Sequence, residues 1–227
     1  MWLQQWIPGD RISPEFARRR SRPRGGGVFM NLVGLPVAIT LARMAAGPVA
    51  AAIILWAQAS TDGEAAVLWL AAGFLFIAAA LTDWLDGYLA RRLGAVSPLG
   101  AALDHGADKV LAASALFALA PSVSTDLVAA AIILVGRDLA IGGLREGFAA
   151  EGKAPAVGVL GKWKTALVLT GLASLLLGRW AQAGDVASAL WLGEAGRVLI
   201  WAGVVFSLVS AAGYISALLK ATAPTAR

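Results

Sequence analysis

Six apolar stretches recur along this chain, at Pro36 to Ala57, Ala65 to Arg91, Pro98 to Ala120, Ser124 to Ala150, Val159 to Trp180 and Leu190 to Lys220. About twenty apolar residues wound as a helix cross the hydrocarbon of a bilayer, so each stretch is long enough to span. The expected fold is all-α: an integral membrane bundle of six transmembrane helices forming one domain over 31–220. A basic N-terminal segment, 1–30, precedes it and a short tail, 221–227, follows. With 59% hydrophobic and 15% charged residues among 227, the chain lies outside the range of soluble domains.

The charges between the spans set the expected topology. Arg11, Arg18, Arg19, Arg20, Arg22 and Arg24 precede the first span, and Arg91 and Arg92 end the second. Lys153, Lys162 and Lys164 lie between the fourth and fifth, and Lys220 and Arg227 close the chain. The intervening loops, at Gln58 to Glu64, Pro121 to Thr125 and Ala181 to Ala189, hold no Lys or Arg, and only Arg179 and Arg197 lie near that side. Basic loops stay in the cytoplasm, which puts both termini there.

Trp2, Trp6 and Ile7, followed by the run Arg18 to Gly27, read either as an interfacial segment with a flexible basic linker or as a disordered positive anchor. A signal peptide is not expected, because the opening residues lack a basic region followed by an apolar core and a cleavage site. Cysteine is absent, so there is neither a disulfide framework nor a thiolate metal site. The net charge of +5 gathers beside the spans without any nucleic-acid motif, which favours anionic lipid headgroups over nucleic acid as the partner.

Against this background, Asp83, Asp86, Asp104 and Asp108 fall within 26 residues, at the cytoplasmic ends of the second and third spans. A carboxylate near a bilayer costs about 3 kcal/mol unless a cavity, ion or partner receives it. Asp83 and Asp86 are spaced i, i+3 and Asp104 and Asp108 i, i+4, so each pair shares a helix face, and the turn Arg92 to Ser97 folds the pairs together. Four like charges need compensation, and oxygen donors suit Mg²⁺, Mn²⁺ or Ca²⁺. Two divalent ions held by aspartates suit phosphoryl chemistry, and Gly87 and Gly100 would let a phosphate approach the helix backbone. Helix-end acids solvated at the interface, or paired with Arg91 and Arg92, would account for one pair, less readily for both.

The spacing Asp83-x2-Asp86-Gly87-x2-Ala90-Arg91-x8-Gly100-x3-Asp104-x3-Asp108 resembles, without a gap, the signature of the CDP-alcohol phosphotransferases, integral membrane enzymes of six transmembrane helices. The resemblance implies transfer of a phosphatidyl or similar group from a CDP-linked donor to an alcohol, with release of CMP and a requirement for two ions of Mg²⁺ or Mn²⁺. It implies that Asp83, Asp86 and Asp104 ligate one ion, that Asp83, Asp104 and Asp108 ligate the other, and that Asp108 is the base for the acceptor hydroxyl. It also implies that Gly87, Arg91 and Ser97 hold the CDP moiety and that the enzyme is a homodimer. Ser97 stands where Thr is common, and His105 where relatives of the glycerophosphate type usually have Pro. His105, the sole histidine, reads as a ring turned toward the headgroups rather than as a catalytic group.

The acceptor is addressed by a second set of charges. Arg137 and Arg145 are eight residues apart, about 12 Å along a helix, and Arg137 lies deep within its span. With Lys162 and Lys164 they would form a pocket for a second anionic group, which implies a phosphorylated acceptor; the alternative for Arg137 is a structural pair with Asp138 or Glu146. The segments Gly136 to Lys153 and Gly161 to Thr165, and the opening Leu35 to Arg43, resemble the phosphatidylglycerophosphate synthases. Val37 replaces their Asn and Asp138 their Glu. The resemblance implies CDP-diacylglycerol and glycerol-3-phosphate as substrates and phosphatidylglycerol phosphate as product, in a bacterial inner membrane with the site facing the cytoplasm. A cardiolipin synthase or an inositol-phosphate transferase is the alternative within the superfamily. A divalent-ion transporter fits less well, because the acids form one layer while the outer halves of the helices are Ala, Leu, Val and Ile. A scaffold or lipid-binding protein with a decayed site, which His105 and Val37 would suggest, is the remaining alternative. Small residues, among them Ala78 to Ala80, Gly142 and Gly143, would permit close helix packing.

Overall fold

A computed structural model describes residues 26–93, 98–150 and 159–222, with side chains placed over 38–61, 63–82, 103–149 and 160–220. Helix α1 is Gly26–Ala59, α2 Asp62–Leu93, α3 Pro98–Val123, α4 Thr125–Ala150, α5 Val159–Ala183 and α6 Trp191–Thr222, with a 3₁₀ turn at Ala187–Ala189 ahead of α6. Among the described residues there is no strand, and all six helices carry a stretch long and apolar enough to cross a membrane. The protein is an all-α integral membrane protein. The segment with Trp2, Trp6 and Ile7, the turn that holds Ser97, and Lys153 lie outside the described residues, whereas α1 already begins within the expected basic segment.

Connections at the less charged end are tighter than the hydropathy suggests. The expected loop at Pro121 to Thr125 shrinks to Ser124, because Pro121 sits in the last turn of α3, and the Ser124 amide donates to the Ala120 carbonyl. Just past the end of α5, Asp185 stands at φ 52°, a left-handed residue of the kind that closes helices. The Val186 amide reaches back to the Ala181 carbonyl at 2.8 Å.

Helices α1 and α3 rise in parallel and touch backbone to backbone. A side chain at Gly47 would bring its Cβ to 3.0 Å from both the Leu111 Cα and the Val110 carbonyl, so only glycine allows this approach without displacement. Farther along, Gln58 Nε2 donates to the Ala118 carbonyl at 2.8 Å. A comparable seam joins α5 to α6, where a Cβ on Gly196 would lie 2.7 Å from Leu175 Cγ and 2.8 Å from the Gly171 carbonyl. Close packing therefore falls on these glycines. Gly143, by contrast, faces open space, while Ala79 is buried between half-buried Ala78 and Ala80.

Trp69, Phe76, Leu111, Leu119, Leu172 and Ile200 fill the core. Large apolar side chains on the outside, such as Phe74 and Val198, face where lipid would lie. The two arginines near the sparsely charged end are engaged rather than bare. Arg179 stands 5.0 Å over the Trp69 ring. Asp126, which accepts from Trp201 Nε1 at 2.9 Å, also receives Arg197 at 3.4 Å.

Helix α4 makes its close approaches to α3 and α6, not to α5, its neighbour in sequence. The space left between α4 and α5 positions the site.

Candidate functional site

Arg43 of α1 reaches two carboxylates of α3. Its Nη1 donates to Asp108 Oδ1 at 3.2 Å, and its Nη2 pairs with Asp104 Oδ1. The arginine side chain is fully enclosed, whereas those of Asp104 and Asp108 are 46% and 37% exposed. The parallel packing at Gly47, one turn beyond Arg43, sets this register. Thr40 and Arg43 are both buried, which explains in physical terms why polar residues interrupt the apolar opening of α1. In the sequence only the resemblance of Leu35 to Arg43 marks this arginine; the fold links it to residues 61 and 65 positions away.

The backbone of α2 carries Asp83, Asp86, Gly87 and Arg91 through its final turns, and the i, i+3 spacing puts the two acids on one face of that helix. Their side chains, like Ser97, lie outside the described residues. Among the described residues no three acidic or imidazole groups converge. Asp104 and Asp108 nevertheless suit a hard divalent cation. They offer carboxylate oxygens one turn apart, stay partly exposed, and among the described residues meet the guanidinium of Arg43.

Beside this acidic corner lies a cavity of about 580 Å³ between α3, α4, α5 and α6. Asp108 belongs to both, since it pairs with Arg43 and also lines the cavity. His105, Lys109, Arg137, Asp138, Arg145 and Lys164 supply further charged or titratable wall. Leu116, Leu134 and Val168 line it farther along the helices. Ser210 and Tyr214 add hydroxyl groups from α6, and the Tyr214 hydroxyl is enclosed without a hydrogen-bond partner among the described residues.

Three of the four expected acceptor cations are in this wall. Arg137 lines the cavity but is already engaged: its Nε donates to the Ser207 carbonyl at 3.1 Å, its Nη1 to Asp138 at 3.0 Å, and its Nη2 to Ser210 Oγ at 3.1 Å. The structural pair with Asp138 thus exists alongside the cavity position. Lys164 Nζ meets the other Asp138 oxygen at 2.6 Å, bridging the space between α4 and α5. Arg145 lines the cavity, and Lys162 is exposed and stands outside its wall.

Lys109 is a further cation of this wall, and in the sequence nothing but its place beside Asp108 marks it. Its Nζ lies where a side chain on Gly142 would come within 3.3 Å. The glycine expected to pack helices instead leaves room for this ammonium. Together these groups can hold an anionic ligand against Asp108.

Comparison with known proteins identifies the family. The sequence profile of a family described as CDP-alcohol phosphatidyltransferase matches residues 33–209. The chain is 36% identical over 192 residues to the CDP-diacylglycerol–glycerol-3-phosphate 3-phosphatidyltransferase of Bacillus subtilis, covering 82% of this chain and 95% of that protein. It is 34% identical over 207 residues to the chloroplastic/mitochondrial enzyme 1 of the same designation from Arabidopsis thaliana, covering 84% of this chain and 64% of the relative. A CMP-forming cardiolipin synthase of Oryza sativa is 37% identical over 166 residues, 66% of this chain and 47% of that protein. The matches therefore span less than two thirds of either plant relative.

Proposed function

Since the chain belongs to the CDP-alcohol phosphatidyltransferase family and is a membrane transferase, we propose that it moves the phosphatidyl group of CDP-diacylglycerol to glycerol-3-phosphate. The observation that carries this reading is the place of Asp108 at the border between the acidic corner and a cavity lined with cations. The similarity to the Bacillus subtilis enzyme supports the choice of acceptor.

In the reaction, the acceptor hydroxyl oxygen bonds to the phosphorus that carries diacylglycerol. The bond from that phosphorus to the bridging oxygen breaks, and CMP departs with the electron pair. Asp108 would take the hydroxyl proton. Lys109 and Arg145 would receive the acceptor phosphate, with Arg137 and Lys164 held beside them by Asp138, and the Tyr214 hydroxyl would meet a glycerol hydroxyl. Gly87, Arg91 and Ser97 would hold the CDP moiety. The family is generally divalent-metal dependent, and we assign Asp83, Asp86, Asp104 and Asp108 as ligands for two ions, Mg²⁺ or Mn²⁺. The chemistry such ions supply when bound is neutralisation of diphosphate oxygens and of the charge on the leaving CMP.

The reading includes a bacterial cytoplasmic membrane with the site facing the cytoplasm, supported by the basic flanks, and a homodimer, supported by the family resemblance. The basic N-terminal segment, the six-helix domain and the short tail are retained in it as the domain organisation.

A second reading is favoured by the size and lining of the cavity. Glycerol-3-phosphate has ten non-hydrogen atoms and would fill only part of about 580 Å³, whereas phosphatidylglycerol could place apolar chain against Leu116, Leu134 and Val168. CMP release by the detergent-purified protein, with CDP-diacylglycerol, Mg²⁺ and each acceptor in turn, decides between them. Turnover with glycerol-3-phosphate supports the first reading, preference for phosphatidylglycerol the second, and no CMP release with either overturns both.

A further inference from the structure

Arg43 stands out because a fully enclosed guanidinium meets two partly exposed carboxylates on one helix face. An enclosed charge without a partner is costly, and two carboxylates at i, i+4 repel one another. The fork of a guanidinium can serve one oxygen from each, which the single ammonium of lysine does less well. Among the described residues the one guanidinium meets two carboxylates, a ratio that offsets their repulsion and still leaves them attractive to a cation. The arginine comes from α1, which contributes none of the four aspartates, and the backbone contact at Gly47 anchors it there.

We propose that Arg43 is a built-in counter-cation, a positioning residue that holds Asp104 and Asp108 together before any divalent ion binds. The inference rests on the assignment of these aspartates as metal ligands. It separates two tasks: the arginine keeps the acidic corner assembled, so the ion is needed for chemistry and not for folding. Without the guanidinium, the same carboxylates would depend on the ion for stability as well.

Thermal melting of the full-length protein in detergent tests this, with EDTA and with saturating Mg²⁺, for wild type, Arg43→Met and Arg43→Lys. The expected result is a Mg²⁺-induced rise in melting temperature at least about 4 °C larger in Arg43→Met than in wild type, with Arg43→Lys in between. Folding of Arg43→Met only when Mg²⁺ is present counts as the same result. If Arg43→Met is unfolded under both conditions, Arg43→Lys decides by the same comparison. Equal Mg²⁺ shifts in variant and wild type would mean that Arg43 is only a packing strut, and the proposal falls while the metal assignment stands. No Mg²⁺ shift in any of the proteins would instead remove the metal assignment, and the proposal with it.

Discussion

Lys164 Nζ lies 2.6 Å from Asp138 Oδ2, and this bridge spans the opening between α5 and α4. The same carboxylate takes Arg137 on its other oxygen, so one aspartate fixes two cations in the cavity wall. Their side chains are 12% to 20% exposed, which shields the cluster from water and salt more than a surface pair would be.

Asp138→Asn keeps the shape and removes the charge, leaving two partly enclosed cations short of a partner. We expect a loss of about 2–3 kcal/mol in stability, below the range for fully buried pairs, read by thermal melting. Asp138→Glu should lose less. A melting temperature unchanged in Asp138→Asn would show that the bridge contributes nothing.

Lys109→Gln and Arg145→Gln should each raise the acceptor KM roughly tenfold while moving that of the CDP-lipid little, as expected for charge-assisted contacts to one substrate. Lys162→Gln is the internal control, because Lys162 lies outside the cavity wall. Steady-state CMP release with each substrate varied gives the split. A larger effect for Lys162 than for Lys109 would move the acceptor to another surface.

Asp104→Asn retains an oxygen for Arg43 but weakens the assigned metal site. Turnover should fall by roughly a hundredfold or more, with the melting temperature close to that of wild type. Chelation with EDTA should also stop wild-type turnover, and Mg²⁺ should restore it. Substantial activity in either case contradicts the role given to this carboxylate.

Gly47→Val forces α1 away from Leu111 and Val110, and with it Arg43 away from its aspartates. Overpacking of this kind costs about 1–3 kcal/mol, and here it should lower CMP release too, although Gly47 is not in the cavity wall. Melting and activity measured together check this; a stable, fully active variant would show that the backbone contact does not set the register.

Hydropathy made the six spans legible, since length and apolarity alone decide what can cross a bilayer. The acids of α3 were legible for the opposite reason, because charge is expensive there. What hydropathy lacks is neighbourhood. Nothing in the sequence spacing says that α4 leans on α3 and α6 and leaves a space beside α5, nor that Arg137 will find Ser207 and Ser210 some seventy residues away. The glycines show the same limit: Gly142 and Gly143 looked like packing residues, yet one makes room for an ammonium and the other faces open space. Side chains of Asp83 and Asp86 lie outside the described residues, and their assignment rests on spacing and family.

The separation of α4 from α5 divides labour between two regions of the bundle. The proposed phosphoryl chemistry is carried by the ends of α2 and α3, while most of the wall that would recognise the alcohol belongs to α4, α5 and α6. Substitutions in that wall can therefore exchange one nucleophile for another without disturbing the reaction centre. Such an architecture is open to evolutionary change in its product while its chemistry stays constant.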